Sequence, residues 1–264
     1  MDTRGETYRD LYDRQLHDQE HENEHSAATL LARVHALAPF ESVLDVGCGL
    51  GVWLSKAQKL GANDVAGIEG EWIAGAPLQV PRECVQTLDL EQPFDLGRRF
   101  DLAMSVEVAE HLSPSAAKGF VESLTRHADV VLFSAAIPFQ GGHHHVNEQF
   151  LPYWAALFED RGYRVVDALR GEFWYDRQIL WWLRQNLVLF ANDAALARYP
   201  RLKAEAKKDH GPLSVVHPDV YWARMVNARN ELKALQALAE MATTPGTYKV
   251  RLVGGQPTLR RVGK

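Results

Sequence analysis

Cysteine is nearly absent from this chain: Cys48 and Cys84 are the only two in 264 residues. Cys48 stands inside a glycine turn, so no structural disulfide is expected, and a reducing compartment, the cytoplasm, fits. No apolar run reaches the about 18 residues a membrane helix requires, so no membrane span is expected. The first six residues are polar, and no signal peptide is expected. An excess of basic charge is missing as well. The 29 Lys and Arg stand against 34 Asp and Glu, a net charge of −5. With a pI of about 6.1, a broad nucleic-acid surface is not expected, because phosphate binding calls for clustered cations. Internal repeats and low-complexity segments are also lacking. What remains is an ordinary globular composition, 46% hydrophobic and 24% charged, enough for one large domain or one domain with an extension.

Apolar periodicity gives the order of elements. Two helices are expected at residues 7–16 and 26–37, separated by an acidic, His-bearing link that reads as a solvated face. Strands are expected at residues 42–46, 64–69, 84–88, 100–105, 129–135, 163–168 and 187–190. Helices are expected at residues 113–127, with Ser113 and Pro114 as cap and first turn, and at 151–161. Strand–helix alternation predicts an α/β fold with a parallel, doubly wound, Rossmann-like sheet. The expected organisation is a helical cap at 1–39, the sheet domain at 40–191 and an extension at 192–264. In the extension, residues 220–241 carry Met225, Leu232, Leu235 and Leu238 as a stripe. That helix either packs on the domain or pairs two copies into a homodimer. The basic stretch from Tyr248 reads as a solvated tail.

The most informative segment is VLDVGCGLGVWL, from Val43 to Leu54. A buried strand ends at Asp45 and Val46, and Gly47, Gly49 and Gly51 follow at alternate positions. This is a strand, a tight turn and a helix start, which brings backbone close to a nucleotide-like ligand. A dinucleotide fingerprint places a third glycine where Val52 stands. Asp45 would also repel a pyrophosphate. A ligand with an ammonium and a sulfonium, and no phosphate, fits better. Glu69 ends the second strand, twenty-two residues after Gly47. An acid there accepts from ribose hydroxyls.

The pattern resembles motif I of the class I S-adenosylmethionine (SAM)-dependent methyltransferases. The resemblance implies SAM as cofactor, held by Asp45, Gly47, Cys48, Gly49, Gly51 and Glu69. It further implies that Asp89 accepts from the adenine amino group, that Leu90 flanks the ring, and that Tyr8 and Tyr12 close over the methionine end.

A second segment, from Phe100 to Leu112, contains E-x-x-E-H: Glu107, Glu110 and His111. On a turn opening a helix, positions three and four apart share a face. Carboxylates and an imidazole so close call for a cation between them. A third segment, residues 135–149, carries His143, His144 and His145. In an open sheet the loops after strands 4 and 5 lie side by side, so one of these histidines is placed to join the set. Glu107, Glu110, His111 and His145 are the expected metal ligands. Together with two substrate oxygens they suit Mg²⁺ or Mn²⁺, and imidazole favours Mn²⁺, Fe²⁺ or Co²⁺ over Mg²⁺. The alternative is a hydrogen-bonded wall without metal. Glu107, His111 and His145 are the expected catalytic groups, with either histidine as proton acceptor.

The E-x-x-E-H set resembles two metal-dependent O-methyltransferase groups, the small-RNA 3′-terminal 2′-O-methyltransferases and the ubiquinone-pathway catechol O-methyltransferases. Both act on vicinal hydroxyls. From motif I through Asn147 to the Trp-rich segment at residues 173–186, the chain is similar to bacterial methyltransferases that accompany surface-glycan or secondary-metabolite genes. Aromatic faces beside Arg, Asp and Gln suit a sugar, and Trp174 and Arg177 are expected near the acceptor. The resemblance therefore implies O-methylation of a sugar or glycosylated small molecule. Catechol or RNA 2′-O-methylation and a non-catalytic SAM-binding partner are the competing readings.

Overall fold

The computed structural model describes residues 20–222, 224, 225, 229, 232, 233, 248–253 and 256–261. The helix expected at 7–16, with Tyr8 and Tyr12, lies outside them. The described residues through His217 form one compact unit, and those from Pro218 a second. Residues 192–217 thus belong with the sheet.

Helix α1 (Glu20–Leu37) leads into β1 (Ser42–Val46), α2 (Val52–Lys59) and β2 (Asp64–Glu69). Then come β3 (Val85–Thr87), β4 (Leu102–Val106), α3 (Ala117–His127) and β5 (Val130–Ser134). Helix α4 (Leu151–Glu159), β6 (Tyr163–Val166), the short α5 (Arg170–Phe173) and α6 (Trp181–Asn186) follow, before β7 (Val188–Asn192), α7 (Asp193–Arg198) and α8 (Pro200–Glu205). The seven strands lie in the order β3-β2-β1-β4-β5-β7-β6. Strands β1 to β5 are parallel, but β7 runs antiparallel to both β5 and β6. The expectation of an all-parallel sheet is corrected at that edge. Strand β7 inserts between its two predecessors, and the chain from β6 returns through α5 and α6 at the same end of the sheet. The order reverses between β1 and β4, and this switch point opens a crevice at the carboxyl ends of the strands.

Both faces of the sheet are covered, so its strands are apolar on both sides. Alternation sends Val130 and Leu132 to the face packed by Leu30, Leu31 and Val34 of α1 and Leu54 of α2. Val131 and Phe133 face the other way, against Phe120 and Leu124 of α3 and Trp154 and Phe158 of α4. There Phe158 stacks on Phe190 at 3.8 Å between ring centres.

Helix α3 begins at Ala117 rather than at Ser113. The Ser113 hydroxyl is spent on Glu91, at 2.6 Å, and caps nothing. In the second unit the described residues between 218 and 233 are helical, while Leu235 and Leu238 lie outside the described residues. The stretch expected as a tail carries an antiparallel hairpin of β8 (Tyr248–Val253) and β9 (Gln256–Arg261). Among the described residues no helix is long and apolar enough to cross a membrane.

Candidate active site

One half of the crevice lies at the ends of β1 and β2. The amides of Gly47 and Cys48 both donate to the Ile68 carbonyl, at 2.8 and 3.1 Å, which fastens the turn onto β2. Gly47 has φ +82, and a Cβ there would overlap Val108 Cγ2. Gly51, at φ +81, caps α2. Cys48 is buried. Its sulfur lies where a side chain at Gly67 would point, and burial pushes the thiol up, so it packs the turn rather than reacting.

Glu69 is buried and takes three donors. The Gly49 amide reaches Oε2 at 2.8 Å, and the Gly70 amide and Trp72 Nε1 reach Oε1 at 2.8 and 3.1 Å. Burial raises its pKa and these donors oppose the rise. Asp45 is only 3% exposed and its Oδ2 has no hydrogen-bond partner. Burial, helped by the charge of Glu69, pushes Asp45 up to about 8. Two buried acids with one oxygen unsatisfied suit a cationic ligand. Asp89 is exposed and accepts from the Glu91 amide at 3.0 Å. Leu90 is buried in the apolar cluster with Ile68 and Phe94.

The other half is built at the ends of β4 and β5. Glu107 has φ +54, costly for a residue with a Cβ. Its amide is held by the carbonyl and hydroxyl of Ser134, at 3.2 and 3.0 Å. Its carboxylate accepts from Gln140 Nε2 at 3.0 Å and Asn186 Nδ2 at 3.1 Å. Asn186 also donates to Gln140 Oε1 at 2.9 Å, and Gln185 donates to Asn186 Oδ1 at 2.9 Å. The amide of His217 closes the network on Gln185 Oε1 at 2.7 Å. Desolvation raises the Glu107 pKa against these donors.

A single helical turn (Ala109–His111) then presents Glu110 and His111. The Glu110 carbonyl accepts from the amides of Val146 and Asn147, at 2.9 and 3.0 Å. These two bonds bring the loop after β5 against the turn after β4. The Glu110 side chain is fully buried, and neither carboxylate oxygen makes a well-formed hydrogen bond. Burial and the charge of Glu107 push it well above the usual carboxylate range. The His111 ring meets His145 edge-on at 4.8 Å. Burial and the His145 charge hold His111 down to about 4.

Donor atoms of Glu110, His111 and His145 lie within 4.8 Å of one another. They fit a divalent cation in residue type and spacing, and the buried Glu110 oxygens, without a well-formed hydrogen bond, are the kind of group such an ion would satisfy. Glu107 does not join this set, because its carboxylate is turned to Gln140 and Asn186. Of the four expected ligands, three converge. His143 and His144 are exposed and pack edge-on to each other. Asn147 and Glu148 do not cap α4, whose cap is Phe150.

Gln140, Gln185 and Asn186 are missing from the sequence-based set. The Trp-rich segment reaches the site through Gln185 and Asn186, while Trp174 packs on His217 and Trp182 on the core. Arg177 is exposed. The one signal in sequence was a polar Gln-Asn pair placed directly before an apolar strand.

The strand order with antiparallel β7, and the glycine turn at the switch point, define the α/β fold of the class I methyltransferases. Residues 15–185 match the methyltransferase domain family, and the chain belongs to that family. No curated protein matches it. Among solved structures, DesVI from Streptomyces venezuelae is 18% identical with a TM-score of 0.56, over 69% of this chain and 97% of DesVI. The sugar N-methyltransferase KedS8 from Streptoalloteichus sp. is 17% identical with a TM-score of 0.54, over 69% of this chain and 92% of its own. CalS10, an amino pentose methyltransferase from Micromonospora echinaspora, is 17% identical with a TM-score of 0.50, over 70% and 96%. At these identities the likeness is one of fold.

Proposed function

We propose that this protein is a SAM-dependent O-methyltransferase acting on a hydroxyl of a sugar or glycosylated small molecule, at a vicinal diol. The observation that carries the reading is the fully buried Glu110, whose oxygens make no well-formed hydrogen bond, beside His111 and His145 at the ends of β4 and β5. The cofactor supplies an activated methyl group on a positively charged sulfur. Asp45 offers the compensating negative charge, and the Gly47–Gly51 turn lets backbone approach. Glu69, with Oε2 holding a single donor, has a lone pair left for a ribose hydroxyl, and Asp89 is exposed for the adenine edge.

The acceptor half favours oxygen over nitrogen. A neutral amine attacks through its own lone pair, whereas an alcohol needs its proton removed or its pKa lowered. Glu110, His111 and His145 would hold a divalent cation, whose charge lowers the pKa of a bound hydroxyl. His111, held near 4, is neutral at pH 7, so one of its ring nitrogens carries a lone pair. Without a cation, His145 is the proton acceptor. Glu107, fixed by Gln140 and Asn186, stands beside the trio and orients a second hydroxyl. The acidic composition disfavours RNA as the acceptor.

A second reading, N-methylation of an amino sugar, is favoured by the fold neighbours KedS8 and CalS10. Transfer of labelled methyl from SAM to nucleotide sugars, glycosides, amino sugars, catechols and short RNA separates the two. Each acceptor is tested with EDTA and with Mn²⁺ or Mg²⁺ restored. Transfer to glycoside hydroxyls is expected. EDTA-sensitive transfer assigns the trio to a cation, and EDTA-indifferent transfer makes His145 the base. Transfer to amines alone overturns O-methylation, and SAM binding without any transfer revives the non-catalytic reading.

A further inference from the structure

Glu148 lies in the loop after β5, and its half-buried carboxylate gathers three donors. The Gly141 amide and His145 Nδ1 reach Oε1 at 2.7 and 2.9 Å, and the Phe139 amide reaches Oε2 at 2.7 Å. Two of these donors are backbone N–H groups, one on each oxygen, which favours the ionised carboxylate, an acceptor only. A carboxylate has no hydrogen to give, so the hydrogen in the His145 contact belongs to Nδ1. In a neutral ring that leaves Nε2 as the nitrogen with the lone pair.

The same carboxylate braces an unfavourable backbone. Phe139 and His144 have φ +65 and +55 although neither is glycine, and Gly141 has φ +65. Such residues persist when surrounding bonds overdetermine them, and Glu148 bonds the chain at 139, 141 and 145. The ring is also seated from behind, since a Cβ on Gly142 would collide with its Nε2–Cε1 edge. On another side stands His111.

We propose that Glu148 is a positioning residue that locks His145 in the Nδ1–H tautomer, with Nε2 as its working nitrogen, and holds the loop that carries it. The inference deepens the proposed function, for Nε2 is then the atom that accepts a proton or a cation. It does not depend on which of these occurs, nor on the acceptor.

The test is ¹⁵N–¹H correlation of the histidine rings in the full chain, under EDTA and at a pH where His145 is neutral, with His145→Gln to assign the signal. The expected wild-type pattern is protonated Nδ1 and bare Nε2. Glu148→Ala should move the population toward Nε2–H, while Glu148→Gln, whose amide oxygen still accepts, should retain much of the wild-type pattern. The alanine variant should also lose about tenfold or more in kcat with KM for SAM unchanged, and the glutamine variant should recover part of that loss. A wild-type Nε2–H ring overturns the proposal, and so does a pattern that Glu148→Ala leaves in place. If the alanine variant does not fold, the wild-type spectrum decides. The spectrum needs no acceptor, so a protein that methylates nothing would sink the proposed function and leave this inference to its own result.

Discussion

The two halves of the crevice are built by different means. The half at β1 and β2 is mostly backbone: five residues of turn, three of them glycines, and one acid at the end of the next strand. Its bonds, such as Gly47 to Ile68 and Gly49 to Glu69, join segments about twenty residues apart. The half at β4 and β5 is made of side chains from three separated segments, around residues 107–111, 140–148 and 185–186. A backbone-built half tolerates little change in shape. A side-chain-built half tolerates changes of shape better than changes of charge. Val108, which lies between Glu107 and Glu110 and against Gly47, is where the two halves touch.

The substitution expected to do most damage strikes that contact. Gly47→Ala adds a methyl group at φ +82 into Val108. Strain and overpacking together should cost about 2–5 kcal/mol. Denaturant unfolding should register that loss, and SAM binding should fall with it. A variant with wild-type stability would show that the two halves are not packed against each other as described.

Glu110→Gln should separate activity from stability. Methyl transfer should drop about 100-fold, in the range of lost ligand-sphere groups, with any response to added metal lost. The melting temperature should stay level or rise, because the buried carboxyl makes no well-formed hydrogen bond and lies against the like charge of Glu107. A sharp fall in melting temperature would mean Glu110 is a structural strut.

Asp45→Asn tests the cofactor half. In the fold Asp45 keeps its proton up to about pH 8, against 3.8 ordinarily. Its contribution to stability is present in full below about pH 4 and is lost as pH rises toward 8. The unliganded protein should therefore lose stability over that window, and Asp45→Asn should flatten the loss. A cationic ligand favours the ionised acid, so SAM binding near pH 7 should release a proton, visible by calorimetry in buffers of different ionisation heat. Affinity should weaken about tenfold or more in the asparagine variant. Binding without proton release would remove Asp45 from the site.

The smallest effect is expected at Asn186→Ala. It takes one of two amide donors from Glu107 and should cost about 1–2 kcal/mol. Turnover should fall only several-fold, because Gln140 remains. A loss as large as that of Glu110→Gln would make Glu107 an equal partner in the chemistry.

Local rules were enough for much of this molecule. Short apolar runs bounded by turn signals marked β1 and β2 to the residue. The glycine turn was legible because each glycine answers a nearby demand, a positive φ or a close approach. Glu110, His111 and His145 were legible as residue types suited to one site. Other features came from contacts distant in sequence. The antiparallel β7 depends on which strands it lies between. Ser113 fails to cap α3 because Glu91, twenty-two residues earlier, takes its hydroxyl. Glu107 leaves the expected ligand set because Gln140 and Asn186, 33 and 79 residues away, supply better-placed donors. The sequence by itself determined the α/β class, the succession of strands and helices along the sheet domain and the chemical character of both halves, since these follow from periodicity and short-range sterics. Only the tertiary structure decided which acid is buried without a well-formed hydrogen bond, which histidine nitrogen faces Glu148 and which amides hold Glu107, because a buried polar group is settled by whichever partner the fold places within about 3 Å.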